Sequence, residues 1–132
     1  MKDPCTGEIV MNLELLDFDI TVCKLASTAD FSLDRDFYFL ARTDEELSLV
    51  CRTDDVPADT LEKEDGWRGF RICGVLEFSL IGILSRITGI LASNEIGVFA
   101  VSTYNTDYIL VKQQNLDRTI QVLKESGYVF SK

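Results

Sequence analysis

The sequence predicts an α+β fold built from two β-α-β-β-α-β units, the first with shortened helices, each an antiparallel sheet with helices on one face. Three observations carry this. Apolar residues recur at helical spacing after Ser79, two strand-like runs flank a turn after residue 97, and a shift of 61 positions lays the first half over the second. The expected boundary gives an N-terminal degenerate unit with an extra leading strand over 1–68 and a complete unit over 69–132.

The C-terminal unit reads clearly from end to end. Residues 71–77 form its first strand. Leu80, Ile83, Leu84, Ile87, Ile90 and Leu91 then recur at spacings of three and four, which places them on one helix face. Ser79 is placed to cap that helix. Asn94 tolerates the left-handed conformation that ends a helix, and Gly97 allows the turn into the next strand. Residues 98–104 and 108–112 are rich in β-branched and aromatic side chains, with Asn105-Thr106 as the turn of a hairpin. Leu116, Ile120 and Leu123 define a second helix over 116–126, capped by Asn115 and ended by Gly127, before a short strand over 128–130. Two right-handed crossovers in that order leave an antiparallel sheet covered on one face, a ferredoxin-like layout.

The first half follows by the repeat. Leu49-Val50 falls on Leu110-Val111, residues 37–40 on 98–101, and Lys63-Glu64-Asp65-Gly66-Trp67 on Lys124-Glu125-Ser126-Gly127-Tyr128. A strand over 20–25, the hairpin, and a short helix over 56–64 with Pro57 in its first turn are expected. The segment 27–36 is too short for a full crossover helix, and a strand over 11–16 is expected to extend one sheet edge.

Composition narrows function. The chain has 22 acidic against 13 basic residues, a net charge of -9, which repels phosphate backbones and anionic lipid surfaces. Nucleic-acid and membrane binding are therefore not expected. The start, Met1-Lys2-Asp3-Pro4, lacks the pattern of an export signal, and the apolar region over 78–92 is too short to span a bilayer, so the cytoplasm is expected. Cys5, Cys23, Cys51 and Cys73 are widely separated and read as reduced packing residues rather than metal ligands. Neither a cofactor nor a metal is expected. The chain contains no histidine and no glycine-rich phosphate loop, which speaks against an enzyme.

The run Glu77-Phe78-Ser79-Leu80-Ile81-Gly82-Ile83-Leu84, followed by Ser102-Thr103-Tyr104-Asn105-Thr106-Asp107 within its hairpin, resembles the ACT-domain pattern. It is most similar to tandem-ACT proteins related to the CASTOR arginine sensors. The resemblance implies a regulatory domain that holds an amino acid at an interface between ACT units, often from paired chains. Where many relatives place glycine after the first helix, this chain has Glu95.

Candidate ligand-binding residues follow from that pattern. The helix start at Leu80, Ile81 and Gly82 presents free N–H groups and the positive end of the peptide dipoles, suited to a carboxylate. Glycine at 82 lets a ligand approach the backbone, or alternatively permits tight helix-on-sheet packing. Asp107 is suited to an ammonium group, with Ser102, Thr103 and Thr106 as hydrogen-bonding groups around it. The alternative is that Asp107 caps its own turn and Ser102 and Thr103 face water. The resulting expectation is an amino-acid sensor, homodimeric, passing its signal to an effector protein. The competing expectation is a ligand-free dimerisation or protein-interaction module.

Overall fold

The computed structural model describes residues 12–73 and 80–131. They fall into two compact units, one of residues 18–67 and one that combines residues up to 17 with residues 68 onward. Strands β1 (Asn12–Leu15), β2 (Ile20–Leu25), β3 (Tyr38–Arg42), β4 (Leu47–Arg52), β5 (Thr60–Cys73), β6 (Val98–Ser102), β7 (Asp107–Lys112) and β8 (Val129–Ser131) alternate with helices α1 (Leu80–Ser93) and α2 (Leu116–Glu125).

In the 18–67 unit the ladder runs β3-β4-β2-β5, antiparallel throughout. Alternation sends Cys23, Leu25, Leu47, Leu49 and Cys51 to one face, where they pack with Phe31, Tyr38, Leu40 and Val56. No helix forms over 27–36; the loop instead lays Phe31 on that face, edge-on to Tyr38 with ring centroids 5.0 Å apart. The helix expected over 56–64 is also absent. A single 3-10 turn, Thr53–Asp55, precedes Pro57, and β5 begins at Thr60. The reason is apolar content: between residues 60 and 65 only Leu61 is apolar, and it is 58% exposed. A helix there would bury no face, whereas a strand satisfies its backbone against β2. Gly66, at φ +85°, lies where the β2–β5 register slips, the signature of a bulge. Fully buried Thr21 secures it, its Oγ1 donating to Asp65 Oδ1 at 2.7 Å and lying 2.9 Å from Thr53 Oγ1.

In the other unit the ladder runs β8-β1-β5-β7-β6. The leading strand is thus interior to this sheet, antiparallel to β5 and parallel to β8, and does not extend an edge. Leu13 explains the placement, being fully buried in the cluster that Phe70, Ile72, Ile109 and Val111 form with Ile83, Ile87 and Leu91 of α1 and Leu123 of α2. The β-α-β-β-α-β order over β5, α1, β6, β7, α2 and β8 is as the sequence predicts, and the fold is α+β with helices on one face.

Both helices end in the same motif. After α2, Gly127 takes φ +99°, Gly127 N donates to Lys124 O and Tyr128 N to Leu123 O. After α1, Glu95 N donates to Ala92 O and Ile96 N to Leu91 O, with Glu95 itself at φ +60°. The left-handed residue is Glu95 and not Asn94, whose side-chain Nδ2 instead donates to Ile90 O at 2.9 Å. The helices also close each other's ends: Arg118 of α2 donates to Asn94 O, and Arg86 of α1 to Ser126 O at 3.5 Å. Cations at the helix C-termini oppose the negative end of each dipole. Asn115 precedes α2 as expected, but its side chain makes no capping bond; a 3-10 turn over Gln113–Asn115 leads into the helix instead.

Through the hairpin and the 3-10 turn the elements correspond at a spacing of 60, while the left-handed glycines Gly66 and Gly127 keep the spacing of 61. β3 and β6 begin at residues 38 and 98, β4 and β7 at 47 and 107, and the 3-10 turns at 53 and 113. One residue matters, because a slip of one exchanges the two faces of a strand. At 61, core-facing Leu49 is matched to Leu110, which lies outside the helix-covered cluster; at 60 it is matched to Ile109, which lies within it.

Candidate functional site

The corrected spacing sets Asp107 against Leu47, the first residue of β7 against the first of β4. Both are 4% exposed. Leu47 packs in its unit's apolar cluster, and Asp107 shares the face of Ile109 and Val111, the side on which α1 lies. A carboxylate thus occupies what the sister hairpin treats as a core position. Among the described residues no hydrogen bond or ion pair reaches it. Burying a polar group without a partner costs about 1–3 kcal/mol, and a cationic group meeting the carboxylate would offset that.

The turn before Asp107 is tightly braced. Thr103 N donates to Thr106 O at 2.8 Å, Thr103 Oγ1 lies 3.0 Å from the same oxygen, and Thr106 N lies 3.3 Å from Thr103 Oγ1. Thr106 Oγ1 donates to Ile72 O at 2.6 Å, tying the turn to β5. The 43–46 turn is braced alike, Thr43 N donating to Glu46 O at 2.9 Å and Thr43 Oγ1 accepting from Glu45 N and Glu46 N at 3.1 Å. The hydroxyls of Thr103 and Thr106 are therefore engaged in building the turn. Ser102 is exposed at the end of β6, paired across the ladder with Asp107. Tyr104, at the tip, is fully exposed.

Leu80, Ile81 and Gly82 form the first residues of α1, while Ser79 lies outside the described residues. Among the described residues, a methyl group built on Gly82 would meet nothing within 4 Å, and the residue is exposed. Sequence reasoning did not find Leu47 as the reference for Asp107, nor the Ile72 carbonyl as the anchor of Thr106. The repeat held the first signal, one residue out of register; the second is a backbone contact that leaves no residue-type signature.

Elsewhere, a shallow hollow of about 260 Å³ in the 18–67 unit is lined by Val22, Lys24, Ser48, Glu62 and Glu64, among others, and includes none of the expected site residues. Cys23 and Cys51 are buried free thiols on β2 and β4, and burial pushes the Cys51 thiol up to about 12. No helix among the described residues is long and apolar enough to cross a membrane.

A family model described as the ACT domain matches residues 62–125. The match covers just under half of the chain. It runs from β5 through α2 and so contains α1, the hairpin and Asp107. A 59-residue stretch is 39% identical to the human cytosolic arginine sensor for mTORC1, subunit 1; the match covers 44% of this chain and 18% of the sensor. Among solved structures, an Agrobacterium tumefaciens protein is 29% identical with a TM-score of 0.82, covering 93% of each chain. The ligand-free regulatory subunit of Thermus thermophilus aspartate kinase has a TM-score of 0.60 at 8% identity, over 89% of this chain and 98% of that one. That second likeness is one of fold, and it agrees with the ACT architecture.

Proposed function

We propose that this chain is a regulatory module that binds an amino acid at its ACT domain and does no catalysis. The observation that carries the reading is Asp107, a buried carboxylate where the sister hairpin has Leu47. In this reading Asp107 receives a cationic group of the ligand. The backbone N–H groups opening α1 at Leu80, Ile81 and Gly82 receive its carboxylate, and the exposed glycine leaves that approach open. Because Leu47 offers no charge, the 18–67 unit contributes no equivalent receptor. Arginine is the first candidate ligand, since the matched relative is an arginine sensor. We place the site at an interface between ACT domains of paired chains, in the cytoplasm, with an effector protein reading the outcome. The absence of histidine and the presence of ACT architecture support a regulatory role over a catalytic one.

The test is thermal unfolding of the purified chain with each of the twenty L-amino acids at millimolar concentration, arginine first. Ligand at a hundredfold excess over its Kd stabilises by about 2.7 kcal/mol. Selective stabilisation that disappears in Asp107→Asn supports the reading; a flat profile across all twenty ends it. The second reading, a ligand-free interaction module, draws on β6, which among the described strands pairs with β7 alone and carries no charged residue. It predicts that flat profile together with assembly that survives Asp107→Asn.

A further inference from the structure

The two threonine-braced turns differ in what the last turn residue does. Thr43 and Thr103 brace their turns alike, so that device belongs to the hairpin and not to a site. The last turn residue does not match. At 46 it is glutamate, exposed, an acceptor with no proton to give when ionised. At 106 it is threonine, half-buried, and its hydroxyl donates to Ile72 O at 2.6 Å.

We infer that Thr106 is a positioning residue for the Asp107 site, fixing the carboxylate through this bond without touching the ligand itself. The inference rests on Asp107 being the receptor proposed above. Ile72 is the penultimate residue of β5, the strand from whose end the chain passes on to α1. Asp107 is the residue immediately after Thr106 and opens β7. The hydroxyl therefore ties the first residue of β7 to the strand end that leads to the helix. The carboxylate that would receive the ligand's cation is thereby held at a fixed spacing from β5. Threonine suits the task because its branched Cβ restricts χ1, so little freedom is lost when the bond forms. A ligand gripped at two points depends on such spacing more than the fold does, since preorganisation lowers the cost of binding.

The experiment compares the wild-type chain with Thr106→Val, which keeps the shape and removes the donor, and Thr106→Ser, which keeps the donor. Affinity is measured by calorimetry with the twenty L-amino acids as probes, L-arginine first, and amide exchange is followed at Asp107 and Tyr108. Thr106→Val is expected to weaken binding on the order of tenfold, the worth of one hydrogen bond. It should also speed exchange at those two amides, while Thr106→Ser stays close to wild type in both. Unchanged affinity in Thr106→Val, or a serine variant that loses as much as the valine variant, overturns the inference. If no amino acid binds the wild-type chain, the reading of the site falls. The exchange data then decide the positioning role alone, and wild-type exchange in Thr106→Val refutes it.

Discussion

Replacing Asp107 by leucine, the residue its sister hairpin carries, should make the empty protein more stable. Asp107 is 4% exposed, on the face of Ile109 and Val111, and meets no partner among the described residues. Replacing the polar group recovers about 1–2 kcal/mol of desolvation. A buried leucine adds about 1.5–3 kcal/mol relative to an exposed one, and fitting the larger side chain costs about 1–3 kcal/mol. The net expectation is a gain of about 2 kcal/mol. With an unfolding entropy near 2.1 cal/mol/K per residue, the 132-residue chain has about 0.28 kcal/mol/K, so Tm rises by about 7 °C. Urea titration followed by far-ultraviolet circular dichroism measures the gain, and an unchanged m-value establishes that the same cooperative unit unfolds. Stability gained with ligand response lost is the trade expected where a binding group is held against its own solvation. Should Asp107→Leu instead lose 1 kcal/mol or more with the m-value intact, the carboxylate is a structural asset. The case for a receptor then fails.

The remaining predictions concern the scaffold. Glu95→Gly should stabilise by about 1 kcal/mol in thermal unfolding, because Glu95 holds φ +60° where the matching motif after α2 has Gly127. Thr119→Val should gain about 1 kcal/mol by urea titration, since Thr119 is fully buried on α2 and its hydroxyl has no partner among the described residues. Gly66→Ala should cost about 1 kcal/mol or more in the same assay, its φ of +85° being unfavourable to any side chain even though nothing would clash with the added methyl. Cys51 makes stability depend on alkaline pH. Burial raises its folded-state pKa from 9.0 to about 12, so its contribution is complete below pH 9 and is lost as pH rises towards 12. In that window the wild-type chain should lose about 1.4 kcal/mol per pH unit more than Cys51→Val does, as read from urea midpoints.

What the sequence disclosed and what it hid divide along a physical line. Elements that bury their own apolar face were legible. The six residues from Leu80 to Leu91 at helical spacing mark α1, and the β-branched and aromatic run in residues 108–112 marks β7. Residues whose structure comes from a distant partner were not. The Thr60–Asp65 stretch has no apolar period of its own and becomes a strand because β2 offers it a backbone ladder. The leading strand joins the sheet of the C-terminal unit because Leu13 finds its cluster there, some 57 residues before Phe70 in the chain. Helix ends fall between the two cases. Asn94 has the better intrinsic tolerance of a left-handed conformation, yet Ile96 must bury beside Leu91, and that contact puts the strained conformation on Glu95.

The repeat teaches the sharper lesson about the site. At a spacing of 61, Glu46 stands opposite Asp107, and two acidic residues beside a turn invite no question. At 60 the opposite residue is Leu47, and the same aspartate becomes a charge in a core position. Residue identity did not change between the two alignments; only the face did. A candidate receptor in a fold with two like hairpins is thus best sought by fixing the register on buried strand residues first. The positions where one copy is apolar and the other ionisable then stand out. By that criterion the 107/47 pair distinguishes the two hairpins, and it predicts that charging the first unit through Leu47→Asp destabilises the chain by several kcal/mol without creating a second binding site. An added ligand stoichiometry in that variant would mean that the turn and its following carboxylate suffice, and that the helix opening at Leu80 is not needed.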